Sequence, residues 1–436
     1  MSGKRILVAG SNGGGQLATG TLDDAHEFIP CSFVEQPPGI LPPHTKEIVQ
    51  IACGSNHTLL LLRLDNGVTQ LYGSGDGRRG QLGPGYFGTS DSSNARRSVF
   101  RLLHPGLAIP NIDVQDYHVR LIAAGWETSY VVLSCSERDD ILLSFGSNDF
   151  GNLGVGSSRG QTTEVHVVDL RAVVDGSNGT VGLIQVDSLV ASTHHVVVQV
   201  SINILGSKQK TFILGWGASR HGQLGAEAPP SRPPQSTPSP RIILPYHNAP
   251  VISIAAGFHH TVFLHVDGVV SALGSDRKLQ LQRLDQLNCV TSVACTWHGT
   301  YAVEEKSGEW SVYATGSNNK GQLGHDPSQS RSQEKLTSGT PPSVSFPFSS
   351  EGRRLIKLVC GSEHVLCLFA ISSGNGSPPR TEVWGWGWNE HGNLGTGDTA
   401  DAHFPSRVWP PTDANQEWVR DIWAGCGTSW LILERS

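Results

Sequence analysis

Seven short turns carry the side chains of this chain that could do chemistry. They lie in IACGSNHTLLLL (51–62), AAGWETSYVVL (123–133), ASTHHVVVQV (191–200), AAGFHHTVFL (255–264), ACTWHGTYAV (294–303), VCGSEHVLCL (359–368) and AGCGTSWLIL (424–433). Aligned, they give three rings of equivalent positions. The first is Ser55, Trp126, Thr193, Phe258, Trp297, Ser362 and Cys426. The second is Asn56, Glu127, His194, His259, His298, Glu363 and Gly427. The third is His57, Thr128, His195, His260, Gly299, His364 and Thr428. Convergent imidazoles could bind a metal. A Glu beside a His could serve acid–base chemistry, but no nucleophile or oxyanion element accompanies Glu127 or Glu363. Recognition is the better-motivated chemistry. Trp126 and Trp297 stand where the ring otherwise favours small residues, and an exposed Trp is a common interface anchor. Glu127 and Glu363 would add charge complementarity. The third-ring histidines are expected to hydrogen-bond backbone carbonyls and lock the turns, because buried polar groups must be paired. The candidate partner-binding set is Trp126, Glu127, His194, His259, Trp297, His298, Glu363 and His364.

Other motifs carry less. Gly75, Gly77 and Gly80 form a literal G-x-G-x-x-G, but it leads into Gln-Leu-Gly within a β-rich repeat, whereas a dinucleotide site needs a strand followed by a helix. No Walker loop, H-E-x-x-H or G-x-S-x-G occurs. The eight cysteines include no C-x-x-C pair, so neither a zinc ribbon nor a secreted disulfide framework is expected. They are expected to be buried free thiols in a reducing compartment. A net charge of −6 argues against a dedicated nucleic-acid binder. No apolar run approaches the ~20 residues of a membrane span, and the first residues show no secretory pattern. The expectation is a cytoplasmic or nuclear protein, not an enzyme, with no cofactor or metal of its own.

The elements that position these turns repeat. A second landmark alternates with the turns: AGSNGGGQL, SGDGRRGQLG, FGSNDFGNLG, WGASRHGQLG, LGSDRKLQL, TGSNNKGQLG and WGWNEHGNLG. Its leading glycines are Gly10, Gly75, Gly146, Gly217, Gly274, Gly316 and Gly387, with spacings of 65, 71, 71, 57, 42 and 71 residues. In the fifth copy Leu279 replaces the second glycine. Short β-rich runs flank Asp65-Asn66-Gly67 and Asp267-Gly268, a hairpin signature. Four short strands in each of seven repeats predict an all-β, seven-bladed propeller over residues 1–436. The first strand, 4–9, and the last, 429–434, each lack a hairpin neighbour, so they are expected to pair and close the ring. Proline- and serine-rich stretches at 226–250 and 325–350 are expected to be flexible insertions, and 376–380 a small insertion in a hairpin. Trp384, Trp386 and Trp388 alternate along a strand and are expected to pack between blades.

The repeats resemble the regulator-of-chromosome-condensation propeller family, with its G-S-N-x-x-G-Q-L-G and A-C-G-x-x-H-T signatures, over residues 5–433. Trp126, Trp297 and the ending VWGWGWNEHGNLG…DIWAGCGTSWLIL look most like its fungal alpha-tubulin-suppressor (killer-toxin-insensitivity) branch. That resemblance implies a non-catalytic partner of a small CSL-type zinc-finger protein that carries electrons in diphthamide synthesis on elongation factor 2. It also implies support of Elongator-dependent modification of tRNA wobble uridines. The face with Trp126, Glu127, Trp297, His298 and Glu363 would hold the small protein, and the metal would belong to that protein. Another branch of the family implies nucleotide exchange on a Ran-type small GTPase.

Overall fold

In the computed structural model the described residues are 3–84, 86, 97–109, 112–156, 161–175, 182–203, 209–225, 234–325, 339–372, 380–412 and 417–434. They form seven antiparallel sheets. From the inner strand outward, blade 1 holds Thr45–Cys53, His57–Leu64, Thr69–Gly75 and Arg101–Leu103. Blade 2 holds His118–Ala124, Thr128–Cys135, Arg138–Ser147 and Gln161–Val167. Blade 3 holds Leu183–Ala191, His195–Asn203, Lys210–Ala218 and Ser236–Ile242. Blade 4 holds Val251–Ala256, His260–His265 and Val270–Gly274, and blade 5 holds Val290–Cys295, Gly299–Lys306 and Glu309–Gly316. Blade 6 holds Arg353–Cys360, His364–Ile371, Arg380–Gly387 and Ala402–Trp409. Blade 7 combines both ends of the sequence: Trp418–Ala424 and Thr428–Glu434, then Lys4–Gly10 and Ala25–Pro30. Lys4 pairs with Glu434 and Gly10 with Thr428, so the ring closes by strand pairing as expected.

Both faces of each blade are covered by the neighbouring blades, which explains the unbroken apolar runs. Leu59 and Leu61 of blade 1 pack with Ile122, Val131 and Phe145 of blade 2. Tyr130 and Val132 on the other face of blade 2 pack with Val196, Val198 and Trp216 of blade 3. Trp386 is fully buried between blades 5 and 6, with Trp384 at the edge of the same cluster. Each third strand ends at the landmark glycine or one residue past it, and the geometry there leaves room for no other residue. At Gly75 (φ 110°) a β-carbon would fall 2.3 Å from the Asn56 carbonyl, and at Gly316 (φ 129°) 2.2 Å from that of His298. The second-ring carbonyl thus sits on the leading glycine.

Three expectations are corrected. Blades 4 and 5 have three strands, not four. After Gly274 the chain reaches the next blade at Val290 through a 3₁₀ turn, Leu284–Gln286, and the 42-residue spacing leaves no length for a fourth strand. Within 226–250, Ser236–Ile242 is the outer strand of blade 3. Prolines 238 and 240 are tolerated there because an outer strand bonds on one side only. Within 325–350, Ser343 bridges to Tyr313 and Val344 is buried. Residues 226–233, 326–338 and 373–379, which carry the rest of the expected insertions, lie outside the described residues.

Candidate partner-binding face

The third ring proves to be a fastening between blades. His57, His195, His260 and His364 are fully buried. Their Nε2 atoms lie 2.9–3.1 Å from Ser129, Thr261, Thr300 and Ser429, each a hydroxyl of the following blade. The bond is therefore to a side-chain hydroxyl, not to a backbone carbonyl. Ser129 Oγ in turn donates to the Gln81 carbonyl at 2.6 Å, and Thr261 Oγ1 to that of Gln223 at 2.8 Å. Those hydroxyl protons are thereby committed, so the imidazole donates from Nε2 and its Nδ1 stays unprotonated. No acceptor meets Nδ1 in any of the four. Burial accordingly pushes His57 and His364 down to about 4 and His195 and His260 to about 3. His364, expected among the partner-binding residues, is thus removed from the surface and serves the blade 6–blade 7 joint.

The first ring lies at the central channel, a cavity of about 150 Å³ lined by residues of all seven blades. A circlet of backbone hydrogen bonds holds it. Ser55 N–H donates to Trp126 C=O (2.9 Å) and Trp126 N–H to Thr193 C=O (2.9 Å). Phe258 N–H donates to Trp297 C=O (2.9 Å) and Trp297 N–H to Ser362 C=O (2.7 Å). On that frame Trp126 and Trp297, from blades 2 and 5, bring their rings to 5.9 Å, and Phe258 lies 5.8 Å from Trp297. All three are partly exposed. The second ring surrounds them. His194 lies 5.9 Å from Phe258 and 4.4 Å from Phe150, and His298 stacks on Phe258 at 6.0 Å. His259 lies 3.8 Å from His221. Burial, joined by the neighbouring imidazoles and Arg277, holds His259 at about 4, so it is uncharged at neutral pH.

The structure therefore brings Trp126, His194, His259, Trp297 and His298 into one aromatic and imidazole surface. The two glutamates are already engaged within the chain. Glu363 Oε1 lies 2.5 Å from His298 Nδ1, and its Oε2 accepts from Gln322 Nε2 at 2.8 Å. Glu127 lies 3.7 Å from Arg79. Sequence reasoning passed over Phe258, Phe150 and His221. Phe258 was visible as a third bulky member of the first ring. Phe150 and His221 occupy one position of the other landmark, just before its second glycine. No spacing along the chain shows that the two landmark turns meet at the same end of the disc.

Four thiols, Cys53, Cys295, Cys360 and Cys426, also line the channel. Burial pushes Cys53 up to about 11 and Cys295 and Cys426 to about 12, so they remain protonated and poorly nucleophilic. All eight cysteines are free; Cys289 is exposed, against the expectation of burial. Among the described residues no three His, Cys, Asp or Glu side chains converge closely enough to hold a metal ion.

Comparison with known proteins agrees with this architecture. The family model for the regulator of chromosome condensation (RCC1) repeat matches residues 5–61, 212–264, 311–368 and 382–432, and a second RCC1-repeat model matches 48–81. The RCC1 repeat-containing protein C10F6.04 of Schizosaccharomyces pombe is 23% identical over 99% of both chains. Among solved structures, human WBSCR16 matches with a TM-score of 0.66 and 19% identity over 99% of both chains. Prp20p of Saccharomyces cerevisiae, studied for its binding to Gsp1p and histones, matches with a TM-score of 0.68 and 17% identity over 99% of this chain and 92% of that one. At such identities the solved structures speak for the fold alone. With its repeats matched over more than half its length and its blades closed into one ring, this chain belongs to the regulator of chromosome condensation (RCC1) repeat family.

Proposed function

We propose that this chain is a non-catalytic interaction protein that holds a partner on the channel face. The observation that carries the reading is the aromatic cluster of Trp126, Phe258 and Trp297, partly exposed and fixed by a backbone circlet. Rigid, half-exposed aromatic rings lose little entropy on binding and are typical anchors. The imidazoles of His194, His259 and His298 around them add polar contacts. The partner named by the sequence resemblance is a small CSL-type zinc-finger protein, with the pair acting in diphthamide synthesis and in Elongator-dependent tRNA modification. A cytoplasmic or nuclear setting goes with that role. The alternative is nucleotide exchange on a Ran-type small GTPase, favoured by the fold shared with Prp20p.

Calorimetric titration of the full chain with a purified CSL-type zinc protein tests this. The wild type should bind, and Trp126→Ala with Trp297→Ala should weaken binding by about 2–4 kcal/mol, the loss typical of anchor residues. Circular dichroism should stay unchanged. Absence of binding, together with accelerated nucleotide release from a Ran-type GTPase, would transfer the face to the exchange-factor reading.

A further inference from the structure

Blade 4 is one strand short, and no described residue takes the place of that strand. In blade 3 the outer side of the third strand is used: Ile243 N–H donates to the Ile213 carbonyl at 2.7 Å, and Gly215 pairs with Arg241. In blade 5 a short segment does the same work, with Val344 N–H donating to the Val312 carbonyl (2.7 Å) and Ala314 N–H to that of Pro342 (3.0 Å). Aligned on Gly217, Gly274 and Gly316, the equivalent of Gly215 and Ala314 is Ala272. Ala272 is half-buried, and its outward N–H and C=O meet no partner among the described residues. Leu284 and Leu287 of the following 3₁₀ segment seal the apolar core of the blade, so the free edge is a main-chain edge.

A second observation comes from the neighbouring blade. In three blades the second glycine of the landmark turn presses on the outer strand of the next blade. A β-carbon on Gly151 would fall 2.5 Å from Pro238 Cα, on Gly321 2.5 Å from His403 Cα, and on Gly392 2.5 Å from His26 Cα. Gly222 of blade 3 faces blade 4 and would meet nothing within 4 Å among the described residues. Leu279 faces blade 5, the other three-stranded blade, and carries a full side chain there, 40% exposed. The seat of the missing strand therefore runs from Ala272 to Gly222. Two exposed guanidinium groups lie at its end, beside Asp276, whose Oδ1 is already engaged by the Leu281 N–H at 2.8 Å. Arg220 and Arg277 are exposed, have no carboxylate partner among the described residues, and flank His221, which burial and these two guanidinium groups hold below its ordinary pKa.

We propose that an extended segment of a partner protein, bearing carboxylates at one end, adds to Val270–Gly274 as the fourth strand of blade 4 and crosses Gly222. Main-chain hydrogen bonds to Ala272 give the strand its register, and Arg220 and Arg277 receive the carboxylates. The main-chain edge at Ala272 lies apart from the Trp126–Trp297 cluster, while its carboxylate end borders His221 and His259 at the rim of that face; the added strand does not rest on the function proposed for the cluster.

The test uses a ten-residue synthetic peptide of alternating Thr and Val with two terminal Glu residues, titrated into the full chain by fluorescence anisotropy. Two matched peptides carry Lys in place of Glu, or N-methyl groups on the amides that would pair with Ala272. The Glu peptide should bind saturably and slow hydrogen exchange at the Ala272 amide. The Lys peptide, the N-methylated peptide and the Arg220→Glu, Arg277→Glu variant should each bind at least about tenfold more weakly. Trp126→Ala with Trp297→Ala should leave the affinity unchanged. Equal binding by the N-methylated peptide, or no saturable binding with Ala272 exchange unaltered, would overturn the added strand. Equal binding by the Lys peptide would overturn the carboxylate assignment.

Discussion

His259 and His260 are adjacent in sequence and opposite in role, as are His194 and His195. The first of each pair stays at the channel face: His259 lies against His221, and His194 against Phe150 and Phe258. The second begins a strand, is fully buried and fastens its blade to the next through Thr300 or Thr261. Strand geometry separates them, because consecutive side chains leave a strand on opposite sides. The fastening histidines also follow the chemistry of their partners. Blades 2 and 5 face Val196 and Val365 at the hydroxyl position of the next blade, and their own third-ring residues are Thr128 and Gly299. An imidazole there would lose its hydrogen bond and remain buried. The joints between blades are thus constrained by side-chain pairing, whereas the face is held mainly by backbone hydrogen bonds and packing, so its side chains are free to differ from blade to blade.

Acid should weaken the joints. The four fastening histidines have folded-state pKa values of about 3 to 4, against 6.5 when unfolded. Below pH 6.5 the unfolded chain binds more protons than the folded one. Stability from these groups is therefore complete above pH 6.5 and lost as the pH falls toward 4 and then 3. Each unit of depression is worth about 1.4 kcal/mol, so the summed effect is the largest expected. Urea denaturation between pH 7.5 and 4.5 should show the fall, and His57→Gln with His364→Gln should make it shallower. An unchanged slope would assign the acid sensitivity to other groups.

Next in size is the contrast within one pair. His260→Ala should cost about 2–4 kcal/mol, since it opens a cavity and strands the Thr300 hydroxyl. His259→Ala should cost less than about 1 kcal/mol, as a change at a partly exposed site. Denaturation midpoints read both, and equal losses would mean that the face histidines also carry the fold. The smallest effect concerns the repeat without its second glycine. Leu279 has φ 65° where other copies have glycine. Leu279→Gly should stabilise by about 0.5–1 kcal/mol, because relief of left-handed strain is partly offset by glycine's entropy. A lower melting temperature in that variant would show that the Leu279 side chain contributes packing.

The turn alignments had already grouped the residues of the face, because equivalent positions of a closed ring lie at equivalent heights. They put His364 in the third ring and His298 in the second, yet the expectation still counts His364 with the face, from which its complete burial removes it. The engagement of Glu363 by His298 and Gln322 was equally hidden, as the three come from two blades and from both landmarks. The missing strand of blade 4 was foreshadowed by the 42-residue spacing, and the outer strand at Ser236–Ile242 was obscured by its prolines.

The sequence by itself determined seven repeats, an all-β ring, its closure by the first and last strands, and glycine at every third-strand end. These follow from local turn chemistry and a period that any copy can reveal. Only the tertiary structure decided which histidine of a pair is buried, that Trp126 meets Trp297 at the channel, and that the third strand of blade 4 has no outer neighbour among the described residues. Each of these depends on what a neighbouring blade brings, often across 40 to 70 residues of sequence, and pairing at that distance is set by packing rather than by the order of residues in one repeat.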